Sequence, residues 1–465
     1  MNTSLPKTIG ELIEFGYITK SVKQEIRSNL ISKLQNGVNV FPQIIGFEET
    51  VIPQIQNAIL AGQDIILLGE RGQAKSKIIR NIIELFDEQI PYVAGSEIND
   101  DPLYPISKFA KDIISEMGNS TPIEWLHRHQ RYSEKLATPD VSVADLIGEI
   151  DPIKIAEGLY LSDEMAIHYG MVPRANRGLF CINELPDLTE RIQVSLFNLM
   201  QERDIQIKGH KIRLNLDVII VATANPEDYT NRGRIITPLK DRYGAQIRTH
   251  YPDKIDQEII IIDQEYKRFP DSEQLVKMPS FMKEIIAEIT HLARKSPEIN
   301  QRSGVSLRVS IANYETLISQ AYRRGIVNNY ATSPRISELK YLIASSIGKL
   351  ELETVEEGQE SKIIGSIIDR AVLNIFLAKI NPEQLTLILE KFETGLTVDV
   401  GENILDNQLV KKVDSIDGLR NILYGICNSE EDCVLATTFE FVLEGLHQTK
   451  KIGKAINDKS EVYTI

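Results

Sequence analysis

The chain has 465 residues, of which 42% are hydrophobic and 25% charged, and its formal net charge is −14. These proportions are those of an ordinary globular protein that is long enough for several domains. An acidic surface repels phosphate backbones, so the charge argues against a dedicated duplex-binding protein.

Export and membrane insertion are not predicted. The first residues, MNTSLPKTIGELIEFGYITK, lack an apolar h-region and a small-residue cleavage site, and no apolar run approaches the roughly 18 residues that span a bilayer. Cys181, Cys427 and Cys433 are too few and too scattered for a disulfide framework or a four-ligand zinc site. We therefore expect a cytoplasmic protein that does not bind membranes.

The first two thirds of the chain predict an α/β fold. Residues 1–40 are expected to form an N-terminal segment with helices near 8–17 and 22–34. From residue 41, apolar strands alternate with amphipathic helices, which predicts a parallel sheet covered on both faces. The strands are expected at QDIILLG, GLFCIN and DVIIVATAN, and the helices at EETVIPQIQNAILAG, SKIIRNIIELF and LTERIQVSLFNLMQE.

Two features interrupt this core, which we place at residues 41–268. An insertion at about 95–177 includes the polar stretch PIEWLHRHQRYSEKL, for which we predict a helix. A hairpin is predicted over 204–216, where two alternating runs meet at Gly209 and His210. The chain then becomes helical: we predict a helical region at 269–351 and a mainly helical extension at 352–465, which begins with an acidic linker at 352–362.

The segment GERGQAKS at positions 69–76 is similar to the phosphate-binding loop G-x-x-x-x-G-K-[ST]. Such a loop needs inward-facing backbone N–H groups, a lysine that reaches the β- and γ-phosphates, and a hydroxyl for magnesium. Lys75 and Ser76 have the required spacing. Ala74 replaces the expected glycine, which matters only if this position needs a positive φ or has no room for a methyl group. The predicted contacts to ATP and Mg²⁺ are Gly69, Glu70, Arg71, Gly72, Gln73, Ala74, Lys75 and Ser76.

Two further strands end in polar residues. GLFCIN is followed by Glu184, so this strand ends in Asn183-Glu184 where an Asp-Glu pair is usual. Asn183 can accept a hydrogen bond from a metal-bound water but carries no charge, while Glu184 is a candidate general base. DVIIVATAN ends in Asn225, whose amide could orient an attacking water. The alternative is a pair of buried strands that merely end in polar turns.

The order of these motifs, together with three longer stretches, resembles an AAA+ ATPase of the branch that contains magnesium chelatase ATPase subunits and MoxR proteins. The stretches are TPDVSVADLIGEIDP (138–152), HYGMVPRANRGLFCINELPDL (168–188) and VATANPEDYTNRGRIITPLKDRYG (221–244). The resemblance covers about residues 40–350 and implies an AAA+ αβα core with a helical lid at 269–351. The hairpin at 204–216 resembles the branch's pre-sensor hairpin. MoxR proteins and MCM helicases commonly carry Ala-Lys-Ser/Thr in this loop, so Ala74 is within the range of the wider clade.

The resemblance implies a role for each matching residue. Lys75 and Ser76 match Walker A. Asn183 and Glu184 match Walker B, with Asn183 a departure at the metal position. Asn225 matches sensor 1.

Four further positions are carried over from the same resemblance. Arg242 lies in the arginine-finger region, with Arg232 and Arg234 as rivals and a helix-end pair with Asp241 as the alternative. Arg308 matches sensor 2, unless it is a solvated surface arginine. The segment Ile45-Gly46 matches the part of the family that packs on adenine.

An arginine finger acts on a neighbouring subunit, so the resemblance implies a homo-oligomeric ring, with six subunits expected. It also implies a client that is reached through a partner with a von Willebrand A domain. Two alternatives stay open. One is the ATPase subunit of a magnesium chelatase that inserts metal into a porphyrin. The other is a weakly hydrolysing ATP-binding switch or scaffold, which the missing aspartate at position 183 favours.

Overall fold

The computed structural model describes residues 5–160, 163–202, 214–225, 233–353, 358–381, 385–456 and 461–464. The chain forms two compact units, Met1–His250 and Tyr251–Ile465. In the described ranges, no helix is both long enough and apolar enough to cross a membrane. Most of the predicted hairpin at 204–216 and all of Arg232 lie outside these ranges.

The first unit alternates strands and helices along the chain. Its strands are β1 Ile65–Leu68, β2 Gln89–Val93, β3 Ile123–His127, β4 Tyr132–Leu136, β5 Gly148–Ile150, β6 Ile167–Tyr169, β7 Gly178–Asn183, β8 Val218–Ala224 and β9 Ala245–Arg248. Its helices are α1 Ile9–Glu14, α2 Val22–Gln35, α3 Val51–Leu60, α4 Lys75–Ile82, α5 Lys108–Met117, α6 Val143–Leu146, α7 Pro152–Ala156, α8 Met171–Arg174, α9 Glu190–Glu202 and α10 Thr237–Arg242.

Five strands form a parallel sheet in the order β4-β7-β8-β1-β9. Successive side chains of a strand point to opposite faces, and the apolar side chains of β7 divide between two core clusters in this way. Phe180 and Ile182 join one cluster, while Leu179 and Cys181 join the other. Both faces of the sheet are therefore covered, as the continuous apolar strands predicted.

The predicted helix at PIEWLHRHQRYSEKL was wrong. This segment forms β3, a single 3₁₀ turn at Arg128–Arg131, and β4. Strand β3 pairs with β2, and β4 pairs with β7 at the edge of the central sheet. An edge strand keeps polar, half-exposed side chains, so its sequence lacks the apolar run of a buried strand. The region predicted as an insertion therefore contains one strand of the core sheet.

A buried ion pair joins the N-terminal segment to the rest of the first unit. The Arg131 guanidinium donates two hydrogen bonds of 2.6 Å to the Glu25 carboxylate of α2, and the two side chains are 1% and 4% exposed. Arg131 Nε donates to the Arg177 carbonyl at 2.8 Å, and the Asp87 N–H donates to Glu25 at 2.7 Å. The Phe86 ring packs against the Arg131 guanidinium, whose central carbon lies 4.2 Å from the ring centroid.

Replacing Arg131 with methionine is expected to destabilise the first unit by about 3–5 kcal/mol, because Glu25 would remain buried without its counter-ion. The double variant Glu25→Leu/Arg131→Met should recover much of this loss, since no charge is then left unpaired. Urea unfolding of the full chain, followed by circular dichroism, measures both. A single variant as stable as the wild type would contradict the assignment of Arg131 as the counter-ion of Glu25.

The second unit is mainly helical, as predicted. Its helices are α11 Ile255–Glu265, α12 Pro270–Leu275, α13 Ser280–Ala293, α14 Arg308–Asn328, α15 Leu342–Ser346, α16 Glu360–Lys379, α17 Thr386–Glu393, α18 Asp406–Asp414, α19 Leu419–Cys427 and α20 Asp432–Gln448. Strands β10 Val398–Val400, β11 Gly453–Ile456 and β12 Glu461–Thr464 form a small antiparallel sheet. One hydrophobic cluster includes both Phe281 and Tyr463, so the residues assigned to the lid and to the extension share a core.

Candidate nucleotide-binding site

The loop between β1 and α4 has the tight turns that a phosphate-binding loop requires. Gly72 has a φ of 74° and Ala74 a φ of 54°, so both adopt a left-handed conformation. A Cβ atom added at Gly69 would lie 1.9 Å from Thr249 Oγ1 and 2.2 Å from Gln73 Oε1, so glycine is required there by a close approach. The loop thus uses Ala74 in a conformation that costs an alanine about 1–2 kcal/mol.

A buried glutamine ties this loop to the end of β9. Gln73 Oε1 accepts hydrogen bonds from the Glu70 N–H at 3.1 Å and from the Thr249 hydroxyl at 2.7 Å. The Thr249 N–H in turn donates to the Leu68 carbonyl at 2.8 Å. The shape of the loop is therefore fixed by contacts from a neighbouring strand as well as by its own glycines.

The substitution Ala74→Gly is expected to change stability by less than about 1 kcal/mol. Glycine would relieve the left-handed strain, but it would raise the entropy of the unfolded chain by about 0.4–1 kcal/mol and lose the methyl group that packs on the core of the unit. Nucleotide affinity, measured with a fluorescent ATP analogue, should hardly change. A gain of about tenfold would show instead that the alanine impairs the site.

The candidate Walker A lysine and the candidate sensor 1 residue are in contact. Lys75 begins α4 and is buried, and its ammonium donates to the Gly69 carbonyl, to the Glu70 carbonyl at 2.8 Å and to Asn225 Oδ1 at 2.7 Å. Asn225 directly follows β8, beside β1 in the sheet. The carboxyl ends of parallel strands meet at one edge of a sheet, and this edge brings together residues that are distant in sequence.

The Asn183 side chain lies at the centre of a second network at the same edge. Its Oδ1 accepts from the Thr223 hydroxyl at 2.7 Å, and its Nδ2 donates to Glu134 Oε1 at 2.8 Å and to Ser76 Oγ at 3.4 Å. Two partners fix this orientation. A carboxylate can only accept, so it faces the nitrogen, and Thr223 already accepts from the Glu184 N–H at 3.0 Å, so its hydroxyl hydrogen goes to Asn183.

Glu134 and Thr223 also belong to this network, although no sequence motif indicated them. Besides Asn183, the Glu134 carboxylate accepts from the Tyr132 hydroxyl at 2.7 Å and from the Arg80 guanidinium at 2.9 Å. Burial alone would raise the pKa of Glu134, but the hydrogen bonds from Arg80 and Tyr132 outweigh it and lower that pKa below its usual value. Glu134 is therefore ionised at neutral pH.

The candidate base, Glu184, follows β7 in a left-handed conformation with a φ of 57°. Such a conformation is uncommon for residues other than glycine and recurs at active sites. The hydrogen bond from its N–H to Thr223 stabilises this turn. Thr223 is fully buried and thus supports both Asn183 and Glu184.

The arginine candidates differ in their surroundings. Arg242, at the end of α10, is 38% exposed and lies 3.7 Å from the Asp241 carboxylate, and its guanidinium carbon is 5.2 Å from the Phe197 ring centroid. The alternative helix-end pair with Asp241 is therefore present, but its distance is long and Asp241 is 80% exposed, so the pair contributes little to stability. Arg234 is also exposed, and its carbonyl accepts from Gln193 at 2.9 Å.

The candidates for sensor 2 and for the contact with adenine lie outside the hydrogen-bond networks described above. Arg308 begins α14 in the second unit, where it is exposed. Ile45 and Gly46 are half-buried in the first unit, and the Gly46 N–H donates to Glu48 Oε1 at 3.1 Å. The roles of these residues in binding nucleotide stay predictions.

The donor set at this edge fits a magnesium ion that is held mainly by a nucleotide. Within the described parts of the chain, no group of three or more His, Cys, Asp or Glu side chains could hold a metal ion by itself. Mg²⁺ bound with a nucleotide usually takes one or two protein oxygens and fills the rest of its coordination with phosphates and waters. The Ser76 hydroxyl and the Glu134 carboxylate, both in contact with Asn183, supply oxygens of this kind.

Comparisons with known proteins agree with these motifs. The profile of the Sigma-54 interaction domain matches residues 157–241. The magnesium-chelatase subunit ChlI of Nostoc sp. is 27% identical over 312 residues, which span 63% of this chain and 75% of the relative. The corresponding subunit of Anabaena variabilis is 26% identical over 285 residues, which span 57% and 76% of the two chains.

Two solved structures also match parts of this chain. A cryo-EM-based structure of the complex between the magnesium chelatase subunits BchI and BchD is 20% identical, with a TM-score of 0.37, and the match covers 69% of this chain and 98% of that one. NtrX from Brucella abortus in complex with ADP is 14% identical, with a TM-score of 0.36, and the match covers 75% and 66%.

The sheet order, the phosphate-binding loop with its buried lysine, and the sequence relatives lead to the same conclusion. The loop follows a central strand, and the polar ends of the neighbouring strands β7 and β8 lie beside it. The chain is similar to AAA+ ATPases of the branch that contains the magnesium chelatase ATPase subunits and MoxR proteins.

Proposed function

We propose that this ATPase is a motor or remodelling chaperone that works as a homo-oligomeric ring and acts on a client through a partner with a von Willebrand A domain. The observation that carries the ATPase part is the convergence of Lys75, Asn225, Ser76 and Asn183 at one edge of the sheet. The ring and the partner are supported by the resemblance to the chelatase and MoxR branch.

In the proposed reaction each residue has a distinct task. The Lys75 ammonium contacts the β- and γ-phosphates, and the N-terminus of α4 adds its backbone dipole. Glu184 takes a proton from the attacking water, which Asn225 orients. Mg²⁺, when bound, neutralises phosphate charge, and Ser76 would hold it. These tasks require residues from three strand ends, and the sheet places those strands side by side.

Ring formation is the simplest way to complete the site. An arginine from a neighbouring subunit stabilises the charge that develops on the γ-phosphate. Arg242 is suited to this role because its guanidinium is partly exposed at the end of α10. We therefore expect the ATPase activity per subunit to rise with protein concentration.

The partner is tested by trapping the assembly with nucleotide. The Glu184→Gln variant, tagged and incubated with ATP in an extract of the source cells, should retain a protein with a D-x-S-x-S metal motif, while the Lys75→Ala variant should not. Mass spectrometry identifies what is bound. Retained proteins that depend on ATP but lack a von Willebrand A domain would overturn this part of the proposal.

A second candidate is the ATPase subunit of a magnesium chelatase. The relatives favour it, because the chain covers three quarters of subunits that carry this name. Expression in a strain that lacks its own chelatase ATPase subunit tests it: restored pigment synthesis would support this candidate over the remodelling proposal.

A third candidate is an ATP-binding switch or scaffold that hydrolyses slowly. The neutral Asn183 favours it, since the usual carboxylate is missing at this position. Single-turnover hydrolysis at saturating protein tests it, because a switch would bind ATP tightly and release phosphate far more slowly than a motor.

A further inference from the structure

The groups that surround Ser76 raise a problem for magnesium binding. Waters bound to magnesium donate hydrogen bonds, so the protein must offer them acceptors. Asn183 turns its Nδ2 toward Ser76, and an amide nitrogen only donates. Because Thr223 and Glu134 together fix this orientation, Asn183 does not supply the acceptor that the usual aspartate would.

A carboxylate from the next strand lies beside the same nitrogen. Glu134 Oε1 is 2.8 Å from Asn183 Nδ2, and Ser76 Oγ is 3.4 Å from that atom. Glu134 belongs to β4, which runs parallel to β7 and pairs Leu136 with Asn183. The strand β7 thus lacks the usual negative charge at Asn183, but Glu134 on the neighbouring strand β4 supplies one and contacts Asn183 directly.

The Glu134 carboxylate is oriented for a further contact. Its Oε2 accepts from Tyr132 and Arg80, while Oε1 accepts from Asn183. A carboxylate has about four lone-pair sites, so capacity remains for a water. The side chain is 21% exposed, so water can reach it.

We propose that Glu134 replaces the usual Walker B aspartate as the acidic group that holds a magnesium-bound water, and that Asn183 positions it. This inference rests on the proposed ATPase function. In this arrangement Asn183 on β7 is neutral and orients the Glu134 side chain, while Glu134 on β4 supplies the negative charge.

The test compares the wild type with Glu134→Gln, Asn183→Asp and the double variant. The full-length proteins are titrated with Mn²⁺ in the presence of a non-hydrolysable ATP analogue, and bound Mn²⁺ is followed by electron paramagnetic resonance. Glu134→Gln should weaken Mn²⁺ binding by about tenfold or more, the loss typical of an outer-sphere metal partner. In the double variant, the new aspartate should restore most of this affinity.

Controls separate a metal role from a structural one. Arg80→Ala removes the partner of Glu134 but keeps the carboxylate, so it should retain Mn²⁺ affinity. If Glu134 only pairs with Arg80, both variants should behave alike. Affinity for the analogue in EDTA and the melting temperature should be unchanged in Glu134→Gln. Should its melting temperature fall, Glu134→Asp, which keeps the charge, should bind Mn²⁺ more tightly than Glu134→Gln.

Two results would overturn the inference: unchanged Mn²⁺ affinity in Glu134→Gln, or a loss that Asn183→Asp does not restore in a folded double variant. Failure of the ATPase proposal is distinguishable from either, because it is measured separately, as an absence of phosphate release by the wild type that still binds Mn²⁺ with the nucleotide analogue or binds neither.

Discussion

Replacing Glu184 with glutamine is expected to lower kcat by about 10²–10⁴-fold, the contribution typical of a general base. Glutamine keeps the shape of the side chain but cannot take the proton of the attacking water. The Glu184 N–H bond to Thr223 should persist, because it uses the backbone. ATP binding and ring assembly should therefore remain close to those of the wild type.

Phosphate release and equilibrium binding of a fluorescent ATP analogue measure these two effects separately. The matched control is Glu190→Gln, which neutralises an exposed carboxylate at the start of α9 and should leave the rate unchanged. A Glu184→Gln variant that hydrolyses ATP at the wild-type rate would show that Glu184 is not the base.

Replacing Arg242 with alanine is expected to lower kcat by about 10³–10⁵-fold, since an arginine finger stabilises charge that develops in the transition state. Lys240→Ala, on the same helix α10, is the matched control and should have a much smaller effect. Arg234→Ala tests the other candidate for the arginine finger. Only the variant that removes the true finger should lose activity on this scale.

Mixing two inactive variants tests whether Arg242 acts on a neighbouring subunit. In rings formed from equal amounts of Lys75→Ala and Arg242→Ala subunits, about a quarter of the interfaces combine an intact loop with an intact arginine, so about a quarter of the wild-type activity should return. No recovery in rings that contain both variants would contradict a finger supplied by the neighbouring subunit.

The sequence was sufficient to predict the parallel sheet, the strand, turn and helix around GERGQAKS, and the polar residues at the strand ends. Each of these depends on local signals: an apolar strand followed by a glycine-containing turn, or a buried run that ends in an amide. The contact between Lys75 and Asn225 agrees with this prediction of a parallel sheet, because the carboxyl ends of parallel strands meet at one edge.

Glu134 and Thr223 could not be predicted in the same way. They contact Asn183 from positions 49 and 40 residues away, so their roles depend on which strands are neighbours. The polar sequence of the edge strand β4 also resembles that of an exposed helix, so Glu134 was not predicted to lie in a strand. The positive φ of Ala74 could not be predicted either, because the fold of the whole loop determines it and alanine itself does not favour it.

We expect this chain to hydrolyse ATP at the site formed by the loop and the neighbouring strand ends. The most direct test is steady-state phosphate release by the full-length wild type and by Lys75→Ala, with Mg²⁺ and over a range of protein concentrations. We predict a wild-type rate per subunit that rises with concentration and is lost in EDTA, with almost no activity in Lys75→Ala. Wild-type activity in Lys75→Ala, or no hydrolysis by the wild type at any concentration, would contradict this account.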